Sequence, residues 1–196
     1  MLVRRITLKT VVFFGSARKK GHTKKLLNSF LTDLEGDVEI IDAYRTDISP
    51  CIDCRYCWEN RGCSIDDKMQ DIYPIIDEAD NIVFATPVYF SNMPGPLKNI
   101  IDRCQVYWAS CLRGDEFEEG SKKGVILLCG GAPHFKKQFT AAEIVLKGLF
   151  GDLGTELIGK VYVSNTDQKP VKENESAQEK AGKLAHKLNS IYNKNN

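Results

Sequence analysis

Four cysteines stand close together in the first third of the chain. Cys51, Cys54, Cys57 and Cys63 follow the spacing C-x2-C-x2-C-x5-C. Three cysteines two residues apart are a known way to surround one iron–sulfur cluster, whereas zinc sites more often use two C-x2-C pairs separated by a longer span. The spacing is too tight for an ordinary disulfide framework, and seven cysteines in 196 residues are too few for a disulfide scaffold. The segment therefore predicts a metal or redox site, with free thiols, a disulfide or zinc as the alternatives.

A second candidate site is the loop GSARKKGHT at residues 15–23, which lies between an apolar run and a helical pattern. Backbone N–H groups at a helix start, the hydroxyls of Ser16 and Thr23, and the guanidinium of Arg18 could surround a phosphate. Neither the Walker spacing nor GxGxxG fits this loop. It therefore predicts a terminal monophosphate, as in FMN. The alternative is a capped helix start with solvated lysines.

Two further loops could contact the rest of such a cofactor. Residues 86–98 read TPVYFSNMPGPLK, and their three prolines stiffen the approach to a helix. The side chains of Tyr89, Phe90 and Met93 could cover the apolar face of an isoalloxazine ring. The alternative is a structural turn with Tyr89 and Phe90 in the core. Gly130 and Gly131 follow another apolar run and leave room for close approach of a ligand to the backbone.

The elements that would position these loops alternate between strands and helices. Apolar runs predict strands at residues 11–14, 38–41, 81–86, 124–129 and 161–163, and helical stripes follow at residues 26–34, 69–79, 97–104, 144–149 and 177–191. Pro74 should kink the second stripe or mark its start. Short strands without in–out alternation predict a parallel sheet with helices on both faces. Such doubly wound sheets bind ligands at the carboxyl ends of their strands, beside the switch in strand order.

Composition and charge exclude several function classes. The net charge of +1 gives no general attraction to nucleic acid and excludes a disordered acidic or basic chain. The first 25 residues carry eight basic side chains and no acidic one, which indicates that an anion is bound near this end. The sequence has no stretch of the ~18 consecutive apolar residues that a membrane span needs, and it shows no convincing targeting segment. We therefore expect a cytoplasmic protein that does not span a membrane.

On these loops, the sequence resembles the flavodoxin-like NAD(P)H-dependent FMN reductases, whose first loop typically reads G-S-x-R-x-x-G-x-T. The run T-P-V-Y followed by M-P-G-P-L-K is similar to the ring-binding loop of the same family. The resemblance implies a flavodoxin-like three-layer α/β sandwich with a five-stranded parallel sheet in the order 2-1-3-4-5. It assigns FMN binding to Ser16, Arg18, Gly21, His22 and Thr23 at the phosphate, and to Thr86, Pro87, Val88, Tyr89, Phe90, Met93, Gly130 and Gly131 near the ring.

The cysteine motif resembles that of the iron-sulfur flavoproteins, a branch of this family in which four cysteines hold a [4Fe-4S] cluster that exchanges electrons with FMN. The resemblance makes Cys51, Cys54, Cys57 and Cys63 the expected cluster ligands. It covers nearly the whole chain. We expect one FMN-binding domain over residues 1–196, with a four-cysteine insert at about 50–66 and a polar tail at about 192–196.

The resemblance also implies an activity. We expect an oxidoreductase in which NAD(P)H reduces FMN and electrons pass to the cluster, to an external protein, or to a quinone or free flavin. Because the flavin carries the chemistry, no catalytic side chain is named. We expect a homodimer or higher homo-oligomer and no nucleic-acid or membrane partner. The alternatives are a non-enzymatic electron carrier, against which the near-neutral charge argues, and a zinc-stabilised binding module without flavin.

Overall fold

The computed structural model describes residues 7–115 and 120–193. The elements follow the chain in this order: β1 Lys9–Phe14, α1 His22–Leu31, β2 Asp37–Asp42, α2 Tyr56–Glu59, α3 Met69–Glu78, β3 Asn81–Pro87, α4 Gly95–Arg103, α5 Gln105–Arg113, β4 Lys122–Cys129, α6 Thr140–Asp152, β5 Thr155–Val163, a 3-10 turn Val171–Glu173, and α7 Glu175–Asn193. Each of the five strands contains the range predicted from its apolar run.

The five strands form one parallel sheet in the order β2-β1-β3-β4-β5. This order confirms the predicted flavodoxin-like fold. At the carboxyl end of β1, Phe14 lies between Asp42 of β2 and Ala85 of β3. The next residue, Gly15, continues the pairing through a hydrogen bond from its N–H to the Ala85 carbonyl at 2.9 Å. The loop after β1 therefore starts between two neighbouring strands, beside the switch in strand order.

Two apolar cores lie on opposite faces of the sheet. Because side chains alternate along a strand, Val11 and Phe13 belong to one core and Val12 and Phe14 to the other. Helices α3, α4 and α6 bury their apolar faces in the first core, and α1 and α7 bury theirs in the second. The sheet is thus the middle layer of three. In the part of the chain that the structure describes, no helix combines the length and apolar character of a membrane span.

Several local predictions need correction. Helix α3 runs from Met69 through Pro74, so the suggestion that the proline marks its start is wrong. The start is set instead by Asp67, whose Oδ1 accepts the Met69 N–H at 3.0 Å. Helix α5 was not predicted, because only Val106 and Ala109 are buried along it and the apolar stripe is too narrow to stand out. On α6, Ile144 is in the predicted helix but is 65% exposed.

The polar tail begins later in the chain than predicted. Helix α7 continues to Asn193, and the hydroxyl of Tyr192 donates to the Asp80 carbonyl at 2.9 Å, so this end of the helix is attached to the sheet. The rest of the predicted tail, residues 194–196, lies outside the described residues.

Candidate functional site

A cavity of about 270 Å³ lies at the carboxyl ends of strands β1, β3 and β4. It is lined by nine of the thirteen residues predicted to bind a cofactor, together with three others: Ser16, Arg18, Gly21, His22, Thr23, Pro87, Val88, Tyr89, Cys129, Gly131, Thr166 and Asp167. The nine residues come from three separate loops, and the sheet order brings those loops together. Their role in holding a cofactor stays a prediction.

One side of the cavity offers positive charge and hydrogen-bond donors. The buried hydroxyl of Ser16 accepts the Arg18 N–H at 3.3 Å, and Gly21 donates its N–H to the Arg18 carbonyl at 3.2 Å, so the loop folds back before the helix begins. Helix α1 starts at His22 behind Gly21, which has no side chain to cap the helix, and its first turn contains no acidic residue. The first amides of a helix have no partner within it and carry partial positive charge. This end of the cavity is therefore suited to an anion.

The guanidinium of Arg18 is exposed and available on the same side. Within residues 7–115 and 120–193, Arg18 forms no ion pair with an acidic side chain, although many other basic residues do. A second cation near the loop is already engaged, since Arg45 contacts both carboxylate oxygens of Asp42 and donates to the Ala17 carbonyl at 3.0 Å. Arg45 therefore supports the loop from behind, whereas Arg18 is free to bind a ligand.

His22 and Thr23 are fixed in place by neighbouring residues. The Val171 N–H donates to Nδ1 of His22 at 3.5 Å. Thr23 is 2% exposed, and its hydroxyl contacts the Cys129 thiol at the end of β4. Burial raises the pKa of Cys129 to about 12, so this cysteine stays a neutral thiol in the cavity wall.

Four of the predicted cofactor residues do not line the cavity. Thr86 is fully buried and donates its hydroxyl to the Pro87 carbonyl at 3.0 Å, which makes it a support of the loop. Met93 is 6% exposed and packs into the core, where it does not reach the cavity as a cover for a ring would. Phe90 is fully exposed at the tip of a tight turn, in contrast to the alternative that placed it in the core. Gly130 lies behind Gly131, and a Cβ atom there would meet the Gln138 side chain at 2.6 Å.

The loop after β5 also lines the cavity, although it was not among the predicted cofactor-binding loops. Thr166 donates its backbone N–H to the Gly130 carbonyl at 3.1 Å, and Asp167 donates its own to the Gly131 carbonyl at 3.3 Å. The exposed Asp167 carboxylate lies over Gly131, where a Cβ atom would approach it to 2.5 Å. The segment TD follows a predicted strand at the same sheet edge, and this signal could have been used. Asp167 adds a hydrogen-bond acceptor to the cavity lining.

The four predicted metal-ligating cysteines line one small cavity of about 20 Å³ in the segment between β2 and α3. All four are free thiols. The Ser64 hydroxyl, 3.3 Å from Sγ of Cys54, lowers the pKa of that thiol, and burial followed by the neighbouring cysteines raises the pKa of Cys57. Trp58 also lines this cavity and packs against Trp108 of α5 at 5.9 Å between ring centroids.

The four thiols are not arranged as a closed metal-ion site. Among the residues that the structure describes, no group of three or more histidine, cysteine, aspartate or glutamate side chains is placed as a metal-ion site. The donor set nevertheless fits a sulfur-bound centre, because four thiols from one short segment line a single cavity. A buried cation, Arg103, lines the same cavity.

The chain is similar to known flavoproteins along most of its length. The model of the NADPH-dependent FMN reductase family matches residues 8–170. An iron-sulfur flavoprotein of Archaeoglobus fulgidus is 30% identical over 172 residues, which cover 82% of this chain and 85% of that protein. An iron-sulfur flavoprotein of Methanosarcina thermophila is 32% identical over 135 residues, which cover 66% of this chain and 67% of that protein.

Solved structures support the same fold at lower identity. An azoreductase from Bacillus anthracis superimposes with a TM-score of 0.69 at 19% identity, covering 92% of this chain and 99% of that one. An NAD(P)H:quinone oxidoreductase from Methanothermobacter marburgensis gives a TM-score of 0.67 at 18% identity, covering 93% and 96%. Together with the parallel sheet and the cavity at its carboxyl edge, the sequence match shows that this chain belongs to the NADPH-dependent FMN reductase family, a family of NAD(P)H-dependent flavin oxidoreductases.

Proposed function

We propose that this protein binds FMN in the cavity at the carboxyl edge of the sheet and passes electrons from NAD(P)H to an acceptor, with a [4Fe-4S] cluster held by the four cysteines as the first acceptor. The observation that carries the proposal is the convergence of three separate loops on one cavity with an anion-binding end. A bound FMN would supply the redox chemistry that links NAD(P)H, a two-electron donor, to the cluster, which accepts one electron at a time.

The side chains of the cavity would bind and orient the cofactor. Ser16, Thr23 and the first amides of α1 would donate hydrogen bonds to the phosphate, and Arg18 would neutralise part of its charge. Tyr89 and the backbone at Gly131 would contact the ring, and the Gly131 position suits close approach because it has no Cβ atom. Cofactor chemistry needs no proton donor from these groups, so we assign none of them a catalytic role.

The cluster is proposed for Cys51, Cys54, Cys57 and Cys63. Support comes from their common cavity and from the names of the two archaeal relatives, both iron-sulfur flavoproteins. Sulfur ligands of this number and spacing suit an iron–sulfur cluster. The terminal acceptor is proposed to be a quinone, a flavin or a protein, and we propose a homodimer or higher homo-oligomer that works in the cytoplasm. The exposed side chains of Tyr89 and Phe90 beside the cavity give a second subunit an apolar surface to cover.

The first experiment tests the reductase activity. Protein purified without oxygen should carry FMN, and anaerobic NADPH or NADH should bleach the visible flavin absorption within minutes. Dithionite serves as the control for a reducible flavin. Bleaching by dithionite alone would refute the reductase proposal in favour of an electron carrier, and a colourless protein that binds no FMN would leave only the zinc module.

The second experiment tests the cluster. Anaerobic protein should contain about four irons per chain and a broad absorption beneath the flavin bands. Cys57→Ser should lose both and keep FMN, because the FMN loops come from other strands. Cys111→Ser is the matched control, since Cys111 is an exposed cysteine on α5 outside the insert. Wild-type protein without iron after anaerobic iron–sulfide reconstitution would refute the cluster, and about one zinc per chain would identify the competing metal.

A further inference from the structure

A buried arginine lies beside the cysteine segment. Arg103 is the last residue of α4, and its side chain is completely excluded from solvent. Its Nη1 donates to the Ser49 carbonyl at 3.0 Å and to Oδ2 of Asp67 at 2.6 Å, and its Nη2 donates to the Ile65 carbonyl at 3.2 Å. A single guanidinium therefore makes three hydrogen bonds with residues that are distant from it in sequence.

These three bonds close the loop that carries the thiols. Ser49 comes just before Cys51, and Ile65 comes just after Cys63, so Arg103 contacts both ends of the segment. Asp67 links the two ends of the segment a second time, because its Oδ2 also accepts the Ser49 N–H at 2.9 Å. The two ends of the segment are thus attached to each other and to α4, a helix whose apolar face is in the core.

The same guanidinium is placed to act on the sulfur atoms. Arg103 lines the cavity that contains all four cysteines. Its Nε–H is buried and has no hydrogen-bond partner among the described residues, which leaves one donor unused on a side chain that lines the cysteine cavity. Burial lowers the pKa of Arg103, but the hydrogen bond to Asp67 and the neighbouring Tyr73 and Cys63 outweigh it, so the pKa is raised and the side chain stays charged.

Stability alone is a weak reason for such a pair. Replacing a buried ion pair by well-packed apolar side chains is often neutral or stabilising, because removing two charges from water costs several kcal/mol. The pair formed by Arg103 and Asp67 does something that an apolar pair cannot do, which is to hold the carbonyl groups of Ser49 and Ile65 at one point. Residues beyond the direct ligands commonly fix the ligands of a metal site in this way.

We propose that Arg103, oriented by Asp67, is the positioning residue of the cysteine site: it closes the segment so that four thiols face one cavity, and it supplies a positive charge and a free N–H donor beside the sulfur atoms. This proposal rests on the metal-binding role of the four cysteines in the proposed function. It assigns no catalytic role to Arg103, which would act only through the thiols.

The test measures metal binding without reference to enzyme activity. Full-length, reduced, metal-free protein is titrated with Co²⁺ under anaerobic conditions, and thiolate-to-cobalt absorption reports the bound metal. Arg103→Met, which keeps much of the volume of the side chain, should weaken cobalt affinity about 10–100-fold. Arg103→Lys keeps the charge, but one ammonium cannot reproduce the fork that reaches two carbonyls, so affinity should remain at least about fivefold below the wild type.

The control separates a positioning role from a general loss of stability. Lys123→Met removes another largely buried cation, which lies at the start of β4, donates to the Gly120 carbonyl and pairs with Glu156 of β5. This variant should unfold at a lower temperature and bind cobalt like the wild type. After iron–sulfide reconstitution, Arg103→Met should also shift the midpoint potential of the cluster to a more negative value, because a positive charge favours the reduced, more negative form. Lys123→Met should leave that potential unchanged.

Two results would overturn the assignment. One is an Arg103→Met protein with wild-type circular dichroism whose cobalt affinity stays within about twofold of the wild type. If Arg103→Met does not fold, Asp67→Asn replaces it in the comparison. This variant keeps the guanidinium but removes the carboxylate that orients it. The second result that would overturn the assignment is an Asp67→Asn protein with wild-type cobalt affinity. A wild-type protein that binds neither cobalt nor iron refutes the proposed cluster and this assignment together, whereas wild-type binding with an unaffected variant refutes the assignment alone.

Discussion

Replacing Arg18 by alanine tests the anion-binding end of the cavity. The phosphate of FMN would lie near the start of α1, where Ser16, Thr23 and the helix amides remain available in the variant. The change removes the Arg18 side chain beyond Cβ, and no acidic partner within the described residues is left without its cation. The change should therefore weaken FMN binding without unfolding the loop.

The size of the effect follows from the position of the side chain. A hydrogen bond to a charged group contributes about 1.5–3 kcal/mol when its partner is lost. Because Arg18 is exposed, solvent screens its charge, and the lower part of that range applies, about 1.5–2 kcal/mol. This corresponds to an increase of roughly 10–30-fold in the Kd for FMN.

The assay is a fluorescence titration of the apoprotein with FMN and, separately, with riboflavin, which has the same ring and no phosphate. Arg18→Ala should weaken FMN binding and leave riboflavin binding unchanged, and added salt should reduce the difference between the two proteins. Lys19→Ala is the matched control, because the neighbouring lysine is exposed and does not line the cavity. Equal losses for FMN and riboflavin would show that the loop itself had changed, and an FMN affinity within about twofold of the wild type would refute the role of Arg18.

Three further predictions concern stability. Gly15→Ala would place a Cβ atom 2.5 Å from Oγ1 of Thr86, so it should lower the free energy of unfolding in urea by about 1–3 kcal/mol, and an unchanged midpoint would contradict the packing. Phe90 and Ser91 have φ angles of 52° and 67° in a two-residue turn that favours Asn-Gly, so the double change Phe90→Asn, Ser91→Gly should stabilise by about 1 kcal/mol; a lower Tm would contradict it. Burial raises the pKa of Glu143, but hydrogen bonds with two lysines outweigh burial and lower this pKa to about 2. The ionised carboxylate therefore stabilises the fold fully above pH 4.5, and this stabilisation is lost as the pH falls toward 2. Glu143→Gln should flatten that pH dependence in urea unfolding, and an unchanged slope would show that the ion pairs do not stabilise the fold.

The fold could be predicted because its determinants are local and repeated. Each strand is a short apolar run, and each following helix carries an apolar stripe, so the order of elements and the parallel sheet follow from the pattern. The parts that failed depend on long-range contacts. The start of α3 is set by Asp67, which is held by Arg103 from another helix, and no pattern near Pro74 reveals this bond. Helix α5 has too few buried residues to produce a stripe.

The candidate site could be predicted to the level of loops and less well to the level of side chains. The predicted residues of the first loop line one cavity because a helix start and a glycine fix their positions, and their binding of a cofactor stays a prediction. Met93 was assigned to the ring by its type, yet the turn of residues 89–92 directs the following chain back to the core. Asp167 was missed because it reaches the cavity from β5, two strands away from the switch in strand order.

The positions of the two proposed cofactor sites are fixed by the same parts of the fold. The cysteine segment follows β2, and Arg45, in the turn just before that segment, donates to the carbonyl of Ala17 in the loop after β1. The cysteine segment ends at Ile65, whose carbonyl accepts a hydrogen bond from Arg103 at the carboxyl end of α4. The amino end of α4 follows the loop of residues 87–94. A helix of this length spans about 14 Å, so it joins the loop of residues 87–94 to the cysteine cavity over that distance. In the proposed function electrons would pass between these two sites, and one helix and two arginines connect the loops that would hold the two cofactors.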